Sequence, residues 1–467
     1  MAAKAHCLAL GLHLHQPPGN LHLLATVRPD EAETILLCYD RLARHASKYP
    51  RHARFSVSVS GSLLEQLQDP ELIALMAPRL DLGSLLQRLR QLDNIEWLGT
   101  AQTHAFMPWS PRRDWAEQLS RGRAVVAAVL GQAPRGFWPP GLGLIPEMIP
   151  ALAAAGYDYA VADLSRLPPP ADAPWDPHAP VRVEYQGARI ILVPRDAELS
   201  RLQEGGLDHV WLANEGRARM SHPRDGGPPR LATTWSDGEN SPWMRERDES
   251  AGFFGRFFTP MVEHWISGEY PLEPAGLADF LARHPPERTV SLTSETAFPA
   301  PPAELLPACA TLEELSRQWW QLAQRRASLG LPASAALAAA HQAVLATQRS
   351  DLLQSGEFAE SRLREATVAA LAALARAEPR WGTQEPAANN PATDEAPTLA
   401  TASTDAPPPP EVVAEAVATV AVAPPGAAEA TAADTASRPG KSRHKGVKKS
   451  AKSVDNATKS RGRKSPR

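Results

Sequence analysis

The sequence predicts an α/β fold, namely a seven-stranded (β/α) barrel followed by an α-helical bundle and a disordered tail. Up to about residue 302, short apolar runs alternate with longer amphipathic stretches, which is typical of parallel βα units. Residues 303–383 keep only helical patterns, and residues 384–467 lose nearly all aromatic side chains. We therefore expect three domains, with residues 1–302 forming the first and the two later segments forming the others.

Seven short apolar runs, each bounded by Pro, Gly or polar residues, are predicted strands: residues 6–13, 54–60, 95–99, 135–138, 158–162, 188–193 and 230–235. The amphipathic stretches between them are predicted helices, and the clearest are residues 31–48, 71–91, 113–131 and 146–155. Strands that alternate with helices favour parallel pairing, and seven such units favour a barrel over an open sheet.

The segment after Pro302 is rich in Ala, Leu, Glu, Arg and Gln without any strand-like run. It predicts three packed helices at residues 303–329, 333–354 and 358–378. From about Gln384 the chain consists mainly of Ala, Pro, Thr and Glu, which cannot bury enough apolar surface to offset chain entropy. We therefore expect this tail to be disordered.

The last residues of the chain are strongly basic. Residues 440–467 contain eleven Lys or Arg and one Asp, a net of +10, so the rest of the chain carries −13 to give the total of −3. Such a segment is a candidate contact for an anionic partner such as nucleic acid or an acidic protein. A solubilising extension is the alternative interpretation.

The cysteine pattern indicates a reducing compartment. Cys7, Cys38 and Cys309 are odd in number and widely spaced, and they include no Cys-x-x-Cys pair. The N-terminal apolar run contains a histidine and lacks a cleavage site, and no other stretch approaches 18 uninterrupted apolar residues. We expect a cytoplasmic protein without a membrane span.

Polar side chains follow four of the predicted strands, and in a βα barrel the carboxyl ends of the strands meet at one mouth. The first group is His13, His15 and Gln16, directly before Pro17, which ends the strand. Period-two spacing puts the two histidines on one face. Two imidazoles and an amide can hydrogen-bond sugar hydroxyls, orient a carboxylate or bind a metal, and packing at a strand end is the alternative.

The second and third groups are weaker by themselves. His104 follows the run at residues 95–99, and a lone histidine is as readily structural as functional. Trp138 ends the next strand and precedes two prolines and Gly141. Glu147 lies at a predicted helix start, where the helix dipole favours an acidic side chain whether or not it has a function.

The fourth group is the turn at residues 235–240, which reads Trp-Ser-Asp-Gly-Glu-Asn. It contains Trp235, Asp237 and Glu239, and Trp243 lies just beyond it. Asp-Gly is an ordinary turn signal. Tryptophans beside carboxylates, however, favour the binding of a sugar ring over a plain loop.

These groups, in this order, resemble the successive motifs of glycoside hydrolase family 57. They read His-x-His-Gln-Pro-x-Gly-Asn at residues 13–20, Thr-His at 103–104, Gly-Phe-Trp-Pro-Pro at 136–140 and Trp-x-Asp-Gly-Glu-Asn at 235–240. The family contains α-amylases, 4-α-glucanotransferases and glucan branching enzymes. The resemblance covers roughly residues 6–300, and the helical part to about residue 380 is similar to the family's C-terminal helices. It implies the barrel and helical bundle described above.

The resemblance also implies a retaining mechanism with two carboxylates about 5 Å apart. Asp237 matches the general acid/base of the family. The residues expected to contact substrate are His13, His15, Gln16, His104, Trp138, Trp235, Glu239 and Trp243. The third motif of the most similar members reads Trp-Pro-Pro-Glu and supplies the nucleophile, but this chain has Gly141 there. Glycine offers no nucleophilic atom, so Glu147 is the candidate substitute if the loop is rearranged.

Three functions remain open on the sequence. The first is an active α-glycan hydrolase or transferase that uses Asp237 with a relocated carboxylate, Glu147 or Glu239. The second is a catalytically impaired protein that binds α-glucan or oligosaccharide. The third is a metal-dependent polysaccharide deacetylase, which is disfavoured because its early Asp-Asp and its His-x-x-x-His pair are both lacking. We expect no cofactor and no metal, and the sequence does not fix the oligomeric state.

Overall fold

The structure is a computed structural model that describes residues 6–167, 174–206, 208–221, 229–293 and 299–378. The described residues form ten strands: β1 (Cys7–Leu14), β2 (Phe55–Val59), β3 (Ile95–Leu98), β4 (Gly136–Phe137), β5 (Tyr159–Ala162), β6 (Val181–Tyr185), β7 (Ala188–Pro194), β8 (Leu231–Asp237), β9 (Glu273–Pro274) and β10 (Thr289–Ser291). The tail predicted at residues 384–467 lies outside the described residues.

The same part of the chain forms fourteen α-helices. They are α1 (Asn20–Val27), α2 (Pro29–Lys48), α3 (Gly61–Leu67), α4 (Pro70–Met76), α5 (Leu82–Arg90), α6 (Trp115–Leu130), α7 (Ile149–Ala154), α8 (Ala197–Glu204), α9 (His209–Met220), α10 (Thr259–Ser267), α11 (Leu277–Arg283), α12 (Leu306–Ser328), α13 (Ala335–Ala346) and α14 (Glu357–Ala377). None of the helices described is long and apolar enough to cross a membrane.

The strands form two sheets. The first has the order β3-β2-β1-β8, with β9 beside β1, and its pairs are parallel. The second has the order β10-β6-β7-β5-β4, in which β6 and β7 form an antiparallel hairpin. A parallel bridge between Gly99 and Phe137 joins the end of β3 to β4. The carboxyl ends of β1, β2 and β8 share one edge, where His13 is in register with Ser58 and Asp237.

The α/β class is confirmed, and each of the seven predicted strands corresponds to an observed one. A closed seven-stranded barrel is not observed, because the described strands remain in two sheets. The sequence prediction missed β6, β9 and β10. β6 alternates buried and half-buried residues and turns into β7 through Gln186 and Gly187, both with positive φ. This hairpin interrupts the βα alternation on which the barrel prediction depended.

The central strand β1 is apolar on both faces, as expected for a parallel strand covered on both sides. Leu8, Leu10, Leu12 and Leu14 are buried on one face, and Cys7 and Ala9 are buried on the other. The predicted helix at residues 71–91 is two helices in the structure, because Pro78 cannot continue a helix and Asp81 begins α5 by accepting a hydrogen bond from the Ser84 amide at 2.9 Å.

The three helices predicted after Pro302 are confirmed as α12, α13 and α14. α13 ends at Ala346, eight residues before the predicted end, so the chain turns at residues 347–353. The helices pack on the α/β part through the buried Asp114, whose carboxylate accepts hydrogen bonds from Trp320 Nε1 at 2.8 Å and Gln348 Nε2 at 2.5 Å. The turn after α13 is therefore fixed against the loop that precedes α6.

Candidate functional site

The end of β1 presents two histidines whose inner ring nitrogens are bonded to serines at the end of the neighbouring strand β2, one within it and one directly after it. His13 Nδ1 lies 2.7 Å from Ser58 Oγ, and His15 Nδ1 lies 2.9 Å from Ser60 Oγ. The period-two spacing of the histidines matches that of the serines, so the two pairs have the same arrangement. Each bond fixes the orientation of its imidazole and leaves Nε2 for other partners.

His104 completes a row of three imidazoles. Its ring stacks on His15 with the centroids 4.0 Å apart, and its centroid lies 4.8 Å from that of His13. Its Nδ1 lies 2.7 Å from the Oγ of Ser350, which comes from the turn after α13. The three predicted histidines are therefore brought together, and each is bonded to a serine in the same way.

The outer nitrogens of two of these imidazoles lack a hydrogen-bond partner within the described structure. Among the described residues, His15 Nε2 and His104 Nε2 are buried without a hydrogen-bond partner. Burial lowers the pKa of His13 to about 4, against the effect of the Asp237 carboxylate, and it lowers the pKa of His15 and His104 well below the usual value. The rings are neutral at pH 7, and a neutral Nε2 can donate to or accept from a hydroxyl, depending on the tautomer.

Two stacked tryptophans border the histidines. Trp138 and Trp235 lie with their ring centroids 4.3 Å apart, and Trp138 lies 5.9 Å from His13. Trp235 is 2% exposed, whereas Trp138 is 7% exposed and covers it. Gly11 is required beneath this pair, because a Cβ at this position would lie 2.0 Å from the Trp235 ring. Trp138 is the better placed of the two to contact a ligand.

The acidic turn at the end of β8 is ordered by its own backbone. Asp237 Oδ1 accepts hydrogen bonds from the amides of Glu239 at 2.8 Å and Asn240 at 2.7 Å. The Asn240 side chain donates to Asp237 Oδ2 at 2.9 Å. Gly238 N donates to His13 O at 2.9 Å, which ties the turn to β1. Asp237 is half-buried beside the histidines, as expected for a carboxylate of the site.

Glu239 does not face the mouth, which differs from its predicted contact with substrate. It is 1% exposed, and its Oε1 accepts hydrogen bonds from the His15 amide at 3.0 Å and from Gln16 Nε2 at 3.1 Å. Its Oε2 contacts the Tyr39 hydroxyl. Burial and the charge of Asp237 raise the pKa of Glu239 well above its usual value. Its hydrogen bonds to His15 and Gln16 support the end of β1.

Gln16 has a similar supporting position. The side chain is 3% exposed, donates to Glu239 and accepts a hydrogen bond from Asn20 Nδ2 at 2.7 Å. Its backbone oxygen accepts from Ser62 Oγ at 3.0 Å. The amide predicted to contact substrate is therefore occupied by protein partners.

Gly141 lies in a tight turn directly after Trp138. Its φ is +58°, and the next residue, Leu142, is also left-handed at +54°. A Cβ on Gly141 would lie 3.1 Å from the ring of Phe106, and its carbonyl accepts a hydrogen bond from Arg166 Nη1 at 3.0 Å. The turn thus has a backbone suited to glycine and presents no carboxylate from this position.

Two other predicted residues lie apart from the histidines. Glu147 pairs with Arg112 at 3.4 Å, and in the described part of the chain no contact joins it to Asp237 or to the histidines. Trp243 packs on Phe253 and Phe257, with ring centroids 5.5 and 5.7 Å away. The structure therefore groups Trp243 with the aromatic core rather than with the Trp138–Trp235 pair.

Several supporting residues were not predicted. Ser58 and Ser60 could have been found, since the serines in residues 56–60 recur with period two and so share one face of β2. Tyr39 occupies a core position of α2 and carries no sequence signal of its own. Across the ranges that the structure covers, no group of three His, Cys, Asp or Glu side chains has an arrangement that could hold a metal ion.

The α/β fold brings together clustered imidazoles, a stacked tryptophan pair and a strand-end carboxylate, which are side chains suited to binding a sugar. The model of glycosyl hydrolase family 57 matches residues 10–254, which contain all four motifs. The chain belongs to glycosyl hydrolase family 57.

The known structures agree on the fold. The α-amylase AmyC of Thermotoga maritima has a TM-score of 0.60 at 13% identity, over 80% of this chain and 93% of that one. The 4-α-glucanotransferase of Thermococcus litoralis has a TM-score of 0.58 at 17% identity, over 80% and 60%. A family 57 branching enzyme of Thermococcus kodakaraensis has a TM-score of 0.59 at 14% identity, over 79% and 88%.

A curated relative matches a smaller part of the chain. α-Amylase 1 of Dictyoglomus thermophilum is 25% identical over 162 residues, which are 34% of this chain and 21% of that protein. The chain therefore matches about one fifth of the length of this amylase.

Proposed function

We propose that this protein binds α-glucan at the mouth formed by His13, His15, His104, Trp138 and Asp237, which we call the histidine site. The observation that carries the proposal is the row of neutral imidazoles, each bonded to a serine, of which His15 and His104 have no partner at Nε2 in the described part of the chain. Sugar hydroxyls both donate and accept hydrogen bonds, so neutral imidazoles and a carboxylate are suitable partners for them.

The choice of α-glucan is supported by the family and by its characterised members. The similar proteins are named as α-amylases, a 4-α-glucanotransferase and a branching enzyme. The indole of Trp138 beside His13 adds an apolar face, on which a sugar ring can pack. The arrangement suits a short α-linked oligosaccharide as ligand.

We further propose that the chain binds glucan without the usual double displacement of its family. That reaction needs a nucleophilic carboxylate about 5 Å from the acid/base. The turn after Trp138 supplies Gly141 instead, Glu239 is buried against Tyr39, and Glu147 is paired with Arg112. Asp237 is then the one carboxylate of the four motifs that is half-exposed beside the histidines.

Binding is tested by calorimetry with maltoheptaose, and cellohexaose serves as the ligand of the wrong linkage. We expect measurable affinity for the α-linked sugar, and His104→Ala should weaken it about three- to tenfold, since one hydrogen bond contributes about 1 kcal/mol. The control is His22→Ala, a surface histidine that faces Asp69 and Glu71. Equal affinity for both sugars, or no affinity for either, would overturn the proposal.

The missing nucleophile is tested with Gly141→Glu, assayed for the release of reducing ends from maltooligosaccharides. We expect turnover in this variant and none in the wild type or in Gly141→Gln, which adds the same bulk without the carboxylate. If the wild type already turns over the sugar and Glu147→Gln abolishes that activity, a relocated nucleophile is correct and our proposal is wrong.

We propose in addition that the two sheets approach a closed barrel. The Gly99–Phe137 bridge on one side and a hydrogen bond from Asp196 N to Thr233 O at 2.9 Å on the other support this arrangement.

We also propose that the protein works in the cytoplasm, and the three unpaired cysteines support this compartment. Localisation of the tagged full-length chain in cells tests the compartment.

The basic segment at residues 440–467 is proposed to contact an anionic partner, on the basis of its net charge of +10. Chains with and without this segment can be compared on a heparin column. Elution of both at the same salt concentration would contradict this role.

A further inference from the structure

We infer that Ser350 is a positioning residue of the histidine site and that the helical segment thereby takes part in ligand binding. The effect on ligand binding rests on the proposed glucan-binding function. The structural basis is the set of contacts between residues 345–350 and residues 103–105, which are more than two hundred residues apart in the sequence.

The backbone of His104 is held in a conformation that few residues adopt. Its φ is +57°, in the left-handed region that disfavours a side chain with a Cβ by roughly 1–2 kcal/mol. Such a conformation persists when surrounding contacts determine it. His104 is also only 8% exposed, so its ring has little room to find another orientation.

Several contacts around His104 come from the end of α13 and the turn after it, in addition to the local hydrogen bond from His104 N to Ala101 O at 2.8 Å. Ser350 N donates to His104 O at 3.0 Å, while Ser350 Oγ is bonded to His104 Nδ1 at 2.7 Å. Ala105 forms an antiparallel bridge with Arg349. Thr103 Oγ1 donates to Leu345 O at 3.0 Å. Three consecutive residues of the site loop are therefore each bonded to the same short segment.

The Ser350 hydroxyl also fixes the direction of the outer nitrogen of His104. With Nδ1 occupied by the serine, Nε2 is left buried and without a partner in the described structure, next to the rings of His15 and His13. A buried polar atom without a partner is costly, and a bound hydroxyl would remove that cost. Ser350 thus fixes the direction of the imidazole that meets the ligand, and its hydroxyl can pair with Nδ1 in either tautomer.

The same arrangement occurs at the other two histidines, but with a different origin. His13 and His15 use Ser58 and Ser60, which belong to the strand next to their own. No equivalent serine follows the strand before His104, and the helical segment supplies one from 246 residues away. The α/β part alone would hold two of the three imidazoles in position.

The test uses the full-length chain labelled with ¹⁵N-histidine. Long-range ¹H–¹⁵N spectra report the tautomer of each imidazole, and the His104 signals are assigned by their loss in His104→Asn. We expect Ser350→Ala to shift the His104 ring signals and to weaken maltoheptaose binding about three- to tenfold. Ser350→Thr, which keeps the hydroxyl, should restore both.

The matched control is Ser316→Ala, the same substitution at a buried serine of α12 whose Oγ has no hydrogen-bond partner in the described structure. It should leave the His104 signals and the affinity unchanged. If Ser350→Ala lowers thermal stability but leaves the His104 signals unchanged, Ser350 is merely structural and the inference fails.

The failure of the proposed function gives a different result. If the wild type binds no α-glucan while Ser350→Ala still shifts the His104 signals, the positioning of His104 is supported and the glucan assignment is wrong. If the wild type binds and Ser350→Ala affects neither the signals nor the affinity, the inference alone is overturned.

Discussion

The two sides of the histidine site differ in the buried hydrogen bonds that hold them in place. On the side of β1 and β8, the acidic turn, the β1 end and α2 are joined through the buried Glu239, and the side-chain amide and backbone oxygen of Gln16 have protein partners. On the side of β4, the turn at Gly141 is held by its backbone and by Arg166, and Gly141 presents no carboxylate. The side proposed to orient a ligand is held by a buried hydrogen-bond network, whereas the turn at Gly141 has no nucleophilic carboxylate.

The buried network around Glu239 and the turn at Gly141 therefore belong to different strands, the first to β1 and β8 and the second to β4. Buried hydrogen-bond networks are expensive when incomplete, because each unpaired group costs about 1–3 kcal/mol. The network around Glu239 is complete. We can test this difference by substituting one residue on each side and comparing the changes in the free energy of unfolding.

The largest effect is expected from Glu239→Ala. The variant leaves the His15 amide, the Gln16 amide and the Tyr39 hydroxyl without their common acceptor, so the free energy of unfolding should fall by about 3 kcal/mol or more. Urea unfolding at pH 7 measures the change, and maltoheptaose affinity should fall with it because His15 loses its support.

Glu239→Gln is the matched variant. The raised pKa of Glu239 predicts a protonated carboxyl in the folded protein, and the glutamine oxygen can then keep both amide donors while its NH₂ donates to the Tyr39 oxygen. The raised pKa gives stability that is present below about pH 4.5 and is lost as the pH rises through the folded pKa. The glutamine variant should therefore gain on the wild type as the pH rises above about 4.5. An equal loss in both variants would contradict a protonated Glu239.

A smaller effect concerns the charge state of His13. Its unfolded pKa is about 6.5, and burial lowers the folded pKa to about 4. The unfolded chain therefore takes up this proton first, and stability falls as the pH decreases from 6.5 to 4. After allowance for the partial exposure of the ring, we expect His13 to account for about 2 kcal/mol of this loss in the free energy of unfolding.

This prediction is checked by urea unfolding of the wild type and His13→Asn at pH 7.5 and pH 4.5. The groups that face His13 are His15, His104 and Asp237, and the last of these opposes the shift. The variant should lose less stability than the wild type over this interval. A difference between the two proteins that stays constant with pH would show that His13 does not carry the effect.

The sequence was most informative where a local pattern determines the structure. The seven strands and three C-terminal helices follow from hydrophobic periodicity, and His13, His15, His104 and Asp237 follow from their positions after strands. The roles of Glu239 and Ser350 could not be predicted in this way. An Asp-Gly-Glu turn has the pattern of an exposed loop, and only the tertiary packing of Tyr39 over it buries the glutamate.

Ser350 was beyond prediction for a different reason. The pattern of residues 333–354 favours one continuous helix, and its early end at Ala346 comes from the contact of the following turn with the loop at residues 103–105. Tertiary contacts of this kind override local helix propensity. The glycine at position 141 was visible in the sequence, but its left-handed backbone was not.

The smallest effect is expected on the sparsely built side, from Gly141→Ala. A side chain at φ +58° costs roughly 1 kcal/mol, and the added Cβ approaches the Phe106 ring at 3.1 Å, which requires a slight movement of that ring. Gly141→Asn should cost less, because asparagine tolerates the left-handed region better. Because Gly141 itself contributes no side chain to the histidine site, maltoheptaose affinity should stay within about twofold of wild type in both variants. A loss of affinity as large as that of Glu239→Ala would mean that the Gly141 turn shapes the ligand site as strongly as the other half of the mouth does, and the division between a binding side and an attacking side would have to be abandoned.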